Sequence, residues 1–326
     1  LIVARNFDFY VGDKFAEEKI ISFYFPDQGY KFASVGWAGM TGVLSGMNEK
    51  GLTVTINAAK STPPISSKTP ISIITRNILQ YASDIDEAYK IASSMESFVS
   101  ESILIGSASD GRAAIIEKSP QYTELYTSEG ERIISTNHFL SQKSMGRLDE
   151  EQKEELEKGH SLYRYKRLEE LLDADRKMTP DKAASILRNP YGLGGASIGW
   201  TNEKSINQFI AHHAVIFQPG KLIMWVSTSP WQLGKMVAYD LGSIFGNSAG
   251  KMHNDVKVQD IEADSLLLKS VYPKVSEYRQ LSATIRKAVK DKKRVDSTIP
   301  ERLIELNPDY DYTYTLLEEY KRATEK

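Results

Sequence analysis

Apolar and polar residues alternate with a period of two at the start of the chain. The segments LIVARNFDF, KIISFYF, KFASVGW, GVLSGMN and GLTVTIN read as strands separated by turn clusters such as PDQG and NEKG, which predicts an antiparallel meander. KSTPPISSKTP interrupts the alternation. ISIITRNILQYAS and DIDEAYKIASSM then place apolar residues at helical spacing, with Asp84 positioned to cap the second helix. Strands resume at ESILIGSA, GRAAIIEKS, YTELYTS and RIISTNHF, and the SDG at Ser109 to Gly111 predicts a hairpin turn. Helix formers dominate GRLDEEQKEELEKGHSLYRYKRLEELLDA, and TPDKAASILRN begins with Thr179 as N-cap and Pro180 at the first helical position. FIAHHAVIFQP and KLIMWVST are the last strands, and the chain from Asp255 onward reads as helical and polar. Strands in runs with helices grouped between them predict an α+β fold: two stacked, mainly antiparallel sheets covered by helices, a four-layer αββα sandwich over residues 1–250, followed by a helical extension over 251–326.

Within the first strand, alternation puts Val3, Arg5, Phe7 and Phe9 on one face, so a guanidinium points where apolar side chains are buried and needs a fixed anionic partner there. Arg5 and Asp8 fall on opposite faces of a regular strand. They address one site only through a bulge or at a strand end, and an Arg5–Asp8 buried ion pair is the competing structural expectation.

Bulk properties narrow the chemistry. The 326 residues are 41% hydrophobic and 26% charged with a formal net charge of −2, and the only basic run lies between Lys287 and Arg294. That balance argues against nucleic acid or an anionic membrane as partner and leaves a small molecule or a protein. DKKR is expected to be a solvated helix face. No stretch is apolar over the ~20 residues needed to span a bilayer, and the compartment stays open between a bacterial cytoplasm and periplasm. The chain has no cysteine, so it can form neither a disulfide nor a thiolate metal site within these residues. HExxH, GxSxG, GxxxxGK[ST] and a strand-following GxGxxG are also missing, and GLGGAS at Gly192 has neither the spacing nor the context of the last. Adjacent His212 and His213 on a strand should face opposite ways, one packed and one exposed, and so cannot share a metal ion.

ARNFDF at Ala4 to Phe9, GMNEKGLTVTIN at Gly46 to Asn57, STNHF at Ser135 to Phe139 and HSLYRYKRLEELL at His160 to Leu172 together resemble the choloylglycine hydrolase and acyl-CoA:6-aminopenicillanic acid acyltransferase group of N-terminal-nucleophile hydrolases. The likeness covers roughly residues 1 to 245, in the family's order, and leaves the tail unexplained. It implies an αββα fold and a reaction at a linear, non-peptide amide. It further implies a nucleophilic cysteine exposed as the first residue of a processed chain, a dozen or so residues ahead of the Arg-Asn-x-Asp motif, with its own α-amino group as base. Leu1 is not that residue, so the expectation is that the cysteine lies upstream of Leu1 on a preceding hairpin strand.

By the same resemblance Arg5 lies against the thiol, Asp8 holds the α-amino group, the Asn137 amide donates to the oxyanion, and a backbone N–H near Asn57 is the second oxyanion donor. Arg164 falls on a site arginine, with Arg167 as competitor. Phe25, Trp37, Met40 and Phe139 are candidate walls of an acyl pocket. No metal or organic cofactor is implied. The expected partners are an acyl amide substrate and a small subunit derived from an N-terminal propeptide; whether the chain forms a homo-oligomer, and whether water or an amine accepts the acyl group, stay open. The rival from another class is an inactive member of the fold that binds a ligand or partner.

Overall fold

A computed structural model of the protein describes residues 1–59, 68–174, 177–246 and 258–324. Most of KSTPPISSKTP and the 250/251 boundary lie outside the described residues. The alternating segments form a seven-stranded sheet of β2 (Ile20–Tyr24), β3 (Phe32–Gly36), β4 (Ser45–Asn48), β5 (Leu52–Ala58), β6 (Glu101–Ser107), β7 (Arg112–Lys118) and β8 (Thr123–Tyr126), ordered as in the sequence. Every neighbouring pair is antiparallel. The β6–β7 hairpin turns at the SDG sequence with Gly111 at φ 65°, a left-handed conformation that a side chain would strain. LIVARNFDF, expected to open the meander, instead joins a second sheet of four strands with the order β1 (Val3–Asp8), β9 (Ala211–Gln218), β10 (Ile223–Ser227) and β11 (Met236–Asp240), where β1 is the edge strand paired with β9.

The sheets stack through Val3, Val215, Phe217, Met224 and Val226 on one side and Ala33, Val35 and Met47 on the other. The approach is close: a Cβ on Gly106 of β6 would lie 2.5 Å from a Val3 methyl. On the outer face of the large sheet, α1 (Ile71–Tyr81) and α2 (Ile85–Ser94) bury Ile74, Ile78, Leu79 and Ile85 against Val54, Ile56, Ile103 and Ile105. The Asp84 side chain accepts from the Glu87 N–H, as its position predicts. On the outer face of the small sheet, α6 (Pro180–Leu187), capped by Thr179, packs Ala183, Ala184 and Leu187 on Ala214, Ile216 and Trp225. The molecule is therefore the expected α+β sandwich of two antiparallel sheets between helical layers.

Local departures have local causes. The long helical segment is three helices, α3 (Gln142–Met145), α4 (Glu150–Lys158) and α5 (His160–Asp173), because Asp149 forms a capping box with Gln152 and Gly159 is extended. RIISTNHF forms no strand; side-chain hydrogen bonds from Asn57 and Asn137 hold it to β5 in place of a ladder. Conversely, β11 arises in a segment where the apolar pattern predicts nothing. After the short α7 (Leu241–Gly246), the tail folds as α8 (Tyr272–Asp291), α9 (Thr298–Leu306) and α10 (Asp311–Thr324) around Tyr278, Ile285, Leu303 and Leu316. It docks on the sandwich through Asn307, which bonds both backbone groups of Trp200, and Arg279, which donates to Phe209 O. DKKR is not a helix face: α8 ends at Asp291 and the basic residues follow it in exposed coil.

Among the described residues no helix is long and apolar enough to cross a membrane.

Candidate active site

At the end of β1 the two sheets part around a cavity of about 780 Å³. Arg5, Asp8, Asn57, Asn137 and Arg164 all line it. They come from β1, β5, the 133–137 segment and α5, so only the fold brings them together.

β1 presents both of its charges because Asp8 is its last residue and the cavity runs along both faces of the strand, lined by Ala4, Asn6 and Asp8 as well as by Arg5 and Phe7. Phe7 pairs with His213, but Asp8 pairs with Ala211, so His212 is an extra residue on β9 and the register slips by one. Arg5 points between the sheets and is 6% exposed. Its Nη1 donates to Leu44 O at 3.0 Å and to Ser45 Oγ, its Nη2 donates to Ile56 O, and its guanidinium carbon sits 4.5 Å from the centre of the Phe7 ring. Here the structure corrects the expectation of a fixed anionic partner: the acceptors are neutral, and no described carboxylate forms an ion pair with Arg5. Of its five N–H groups, Nε and one on Nη2 have no acceptor among the described residues. Burial pushes the guanidinium down to about 9, opposed by Asp8 and Glu101, so it stays a cation at neutral pH.

Asp8 accepts no hydrogen bond from any described residue. It keeps open surface toward the cavity, but protein crowds it elsewhere, and desolvation pushes its carboxyl up to about 6 against the pull of Arg164 and Arg5. Asn6, between the two charged residues, faces the helical layer and ties the strand end to Leu187 O and Ile206 O.

Asn137 is fixed at three points. Ser161 Oγ on α5 accepts its backbone N–H at 2.7 Å, Arg164 donates to its Oδ1, and its own Nδ2 donates to Ala58 O at 3.0 Å. Ser161 and Arg164 are one helical turn apart on one face of α5, so one helix grips both ends of this residue. Because Arg164 can only donate, Oδ1 is the acceptor and the amide's orientation follows; the second Nδ2 hydrogen has no acceptor among the described residues. Arg164 also donates to Glu203 O, whereas Arg167 is turned to Glu170 and Asn189, outside the cavity lining. Burial lowers the Arg164 pKa, countered by Asp8 and Glu203.

The Asn57 side chain donates to Ser135 Oγ at 3.1 Å and so braces the 133–137 segment. Its backbone N–H is directed away from the cavity. Ile56 N donates to Leu44 O and Ala59 N to Ser100 O, so alternation turns the Asn57 N–H toward its β6 partner Ser102 and that of Ala58 to the edge where Arg5 and Asn137 meet.

Sequence reasoning missed Glu101, which lines the cavity without a described hydrogen-bond or ion-pair partner. Desolvation pushes it up to about 7, opposed by Arg5. A lone acidic residue opening a strand carries no sequence signal. Of the expected walls only Trp37 lines the cavity; Phe25 lies against Phe245, Met40 packs on the core of the large sheet, and Phe139 lies against Tyr122. The histidines also depart from expectation. Both are fully buried, and the bulge brings their Nδ1 atoms to 2.9 Å instead of turning the rings to opposite faces. Among the described residues no cluster of ligands could hold a metal.

No curated protein matches the chain. Among solved structures it is similar to a Caenorhabditis elegans ortholog of N-acylethanolamine-hydrolyzing acid amidase, at 16% identity and TM-score 0.47 over 67% of this chain and 88% of that one. Penicillin V acylase from Agrobacterium tumefaciens aligns at 14% identity and TM-score 0.45, covering 70% of this chain and 79% of the other. A variant of the conjugated bile acid hydrolase of Clostridium perfringens aligns at 11% identity and TM-score 0.41, covering 74% and 89%. At the level of sequence, residues 1–229 match the acyl-coenzyme A:6-aminopenicillanic acid acyl-transferase family, and with that match spanning every residue that lines the cavity, the chain belongs to this family.

Proposed function

We propose that this protein is an amide hydrolase or acyltransferase whose nucleophile is an N-terminal cysteine carried ahead of Leu1. One observation carries the reading: at the cavity a buried guanidinium, with an unpaired Nε and no carboxylate partner among the described residues, stands beside a carboxylate that accepts no hydrogen bond from any of them. A buried arginine held by neutral acceptors, next to a carboxylate open to the cavity, is suited to groups brought to it. β1 is an edge strand, so a hairpin strand on its open edge would return a residue roughly 10 to 20 positions upstream to the level of Arg5.

The α-amine takes the thiol proton, and the thiolate, stabilised by Arg5, attacks the amide carbonyl carbon. The oxyanion receives hydrogen bonds from Asn137 Nδ2 and the Ala58 N–H. Collapse breaks the C–N bond, the α-ammonium returns its proton to the leaving amine, and a thioester remains. Asp8 orients the α-amino group and favours its protonated form. Water or an amine then attacks the thioester by the same path in reverse. Phe9, Trp37, Phe98, Leu168, Leu172 and Met178 give the cavity an apolar surface suited to an acyl chain. In this reading residues 1–250 form the catalytic sandwich, 251–326 a helical extension, and a released propeptide accounts for a small second subunit.

Intact-mass analysis of the natural full-length protein tests this. After incubation with iodoacetamide, a single adduct should map to an N-terminal cysteine, and a panel of a penicillin, an N-acylethanolamide, a conjugated bile salt and an N-acyl amino acid should include a member that replaces it by an acyl adduct. A natural N-terminus without that cysteine, or a thiol inert to the whole panel, would establish the non-catalytic binding member instead.

A further inference from the structure

The buried polar groups behind Arg5 form a chain whose direction is fixed by chemistry. Arg5 is donor only, so Ser45 Oγ accepts from it. Ser45 is fully buried, and its hydroxyl has one other partner, His213 Nε2 at 2.9 Å. The hydroxyl hydrogen therefore goes to Nε2: the reverse direction would leave both that hydrogen and a His212 Nε2 lone pair unmet, against a single unmet His212 Nε2–H in this one. A neutral His213 then carries its proton on Nδ1 and donates to His212 Nδ1, 2.9 Å away. His212 must carry its own proton on Nε2, the one buried ring nitrogen of the pair without a partner. Its ring lies among Phe7, Phe15 and Trp37, with centroids at 6.3, 4.7 and 5.5 Å.

We propose that Ser45 and His213 are positioning residues for the Arg5 guanidinium, acting through a one-way hydrogen-bond chain from Arg5 through Ser45 and His213 to His212 that fixes the tautomer of both imidazoles. The bulge at His212 is what makes the chain: a regular strand would point the two rings to opposite faces. Protonating either ring would oppose two hydrogens, at the Nδ1–Nδ1 contact or at Ser45, so neither histidine serves as base. The charged groups facing the pair agree. Burial, with Arg5, His212 and Lys19 adding to it, holds His213 well below the usual histidine range, and burial with Lys19 and Arg5 holds His212 at about 4. The catalytic consequence rests on the reading that Arg5 faces a thiol; the tautomers do not.

Two measurements separate these. Nitrogen-15 NMR of the imidazoles should show His213 as the Nδ1–H and His212 as the Nε2–H tautomer, unchanged from pH 5 to 8; the opposite tautomers, or titration of either ring in that range, overturns the chain whether or not the protein is an enzyme. In the natural full-length protein, His213→Leu should lower kcat about tenfold at constant KM, as expected for a displaced charge at the reacting centre. It should also raise the pH midpoint of iodoacetamide alkylation. Ser45→Ala should do the same, and His213→Gln, which offers an acceptor and a donor in similar places, should restore both. Parent-like kcat and alkylation profiles in folded His213→Leu and Ser45→Ala overturn the positioning role. A protein without the thiol defeats the proposed function and the positioning of that thiol together, while leaving the tautomers to stand on the NMR result.

Discussion

Two carboxylates, one on the large sheet and one at the end of β1 in the small sheet, are treated in opposite ways. Glu117, fully buried on β7, accepts from Leu140 N, Ser141 N, Ser141 Oγ and Ser144 Oγ, which pins the start of α3 to the sheet. Asp8, at the cavity, accepts from no described residue. Two arginines repeat the contrast. Arg188 gives every one of its nitrogens a carbonyl, Nε to Gln232, Nη1 to Glu262 and Nη2 to Gly234, while the buried Nε of Arg5 has no acceptor among the described residues. Glu117 and Arg188 are tied down at every charged atom by the chain itself. Charges at the cavity are held in place but not saturated, which is the condition for binding and polarising something else.

The largest test of that contrast removes a saturated group. Glu117→Ala leaves four donors without an acceptor and should destabilise the fold by about 3–5 kcal/mol in urea titrations while leaving turnover per folded molecule unchanged; unchanged stability would erase the distinction. Asn137→Ala should do the reverse, lowering turnover about 100-fold or more, near 3 kcal/mol in transition-state stabilisation, with the fold intact by circular dichroism. Unchanged turnover removes Asn137 from the site. Arg164→Met, which releases the Asn137 amide but touches no expected reacting atom, should lower kcat by about tenfold with thermal stability unchanged. The smallest effect concerns Asp8 and pH. Its carboxyl is raised to about 6 in the folded chain, so the native state retains a proton that the unfolded chain has lost, and this contribution, complete below about pH 4, disappears as pH rises through 6. Asp8→Asn, neutral throughout, should melt above the parent at pH 8 and converge with it near pH 4; a constant difference would place Asp8 in a solvated setting.

What the sequence determined by itself is the material at short range. Period-two alternation specified the meander of the large sheet, Asp84 and Thr179 started their helices where a side-chain acceptor meets orphan N–H groups, and the SDG turn closed its hairpin. The order of strands and helices then specified the layers, because each amphipathic face must be covered. The motif residues were legible as types: a charge on an inward strand position, and an asparagine and an arginine in segments the resemblance marks.

Only the tertiary structure decided how they meet. Arg5 finds its acceptors 39 to 51 residues away, and Asn137 is clamped between Ala58 and Arg164, separations over which no local pattern extends. The extra residue at His212 is invisible in AHHAVIFQ, since a bulge is set by the ladder it interrupts. It nonetheless brings the two histidines into contact. Local periodicity fixes the elements because it acts within one turn or one strand; the site is fixed by closure of the two sheets, where buried polar groups must find whichever partners the packing brings within reach.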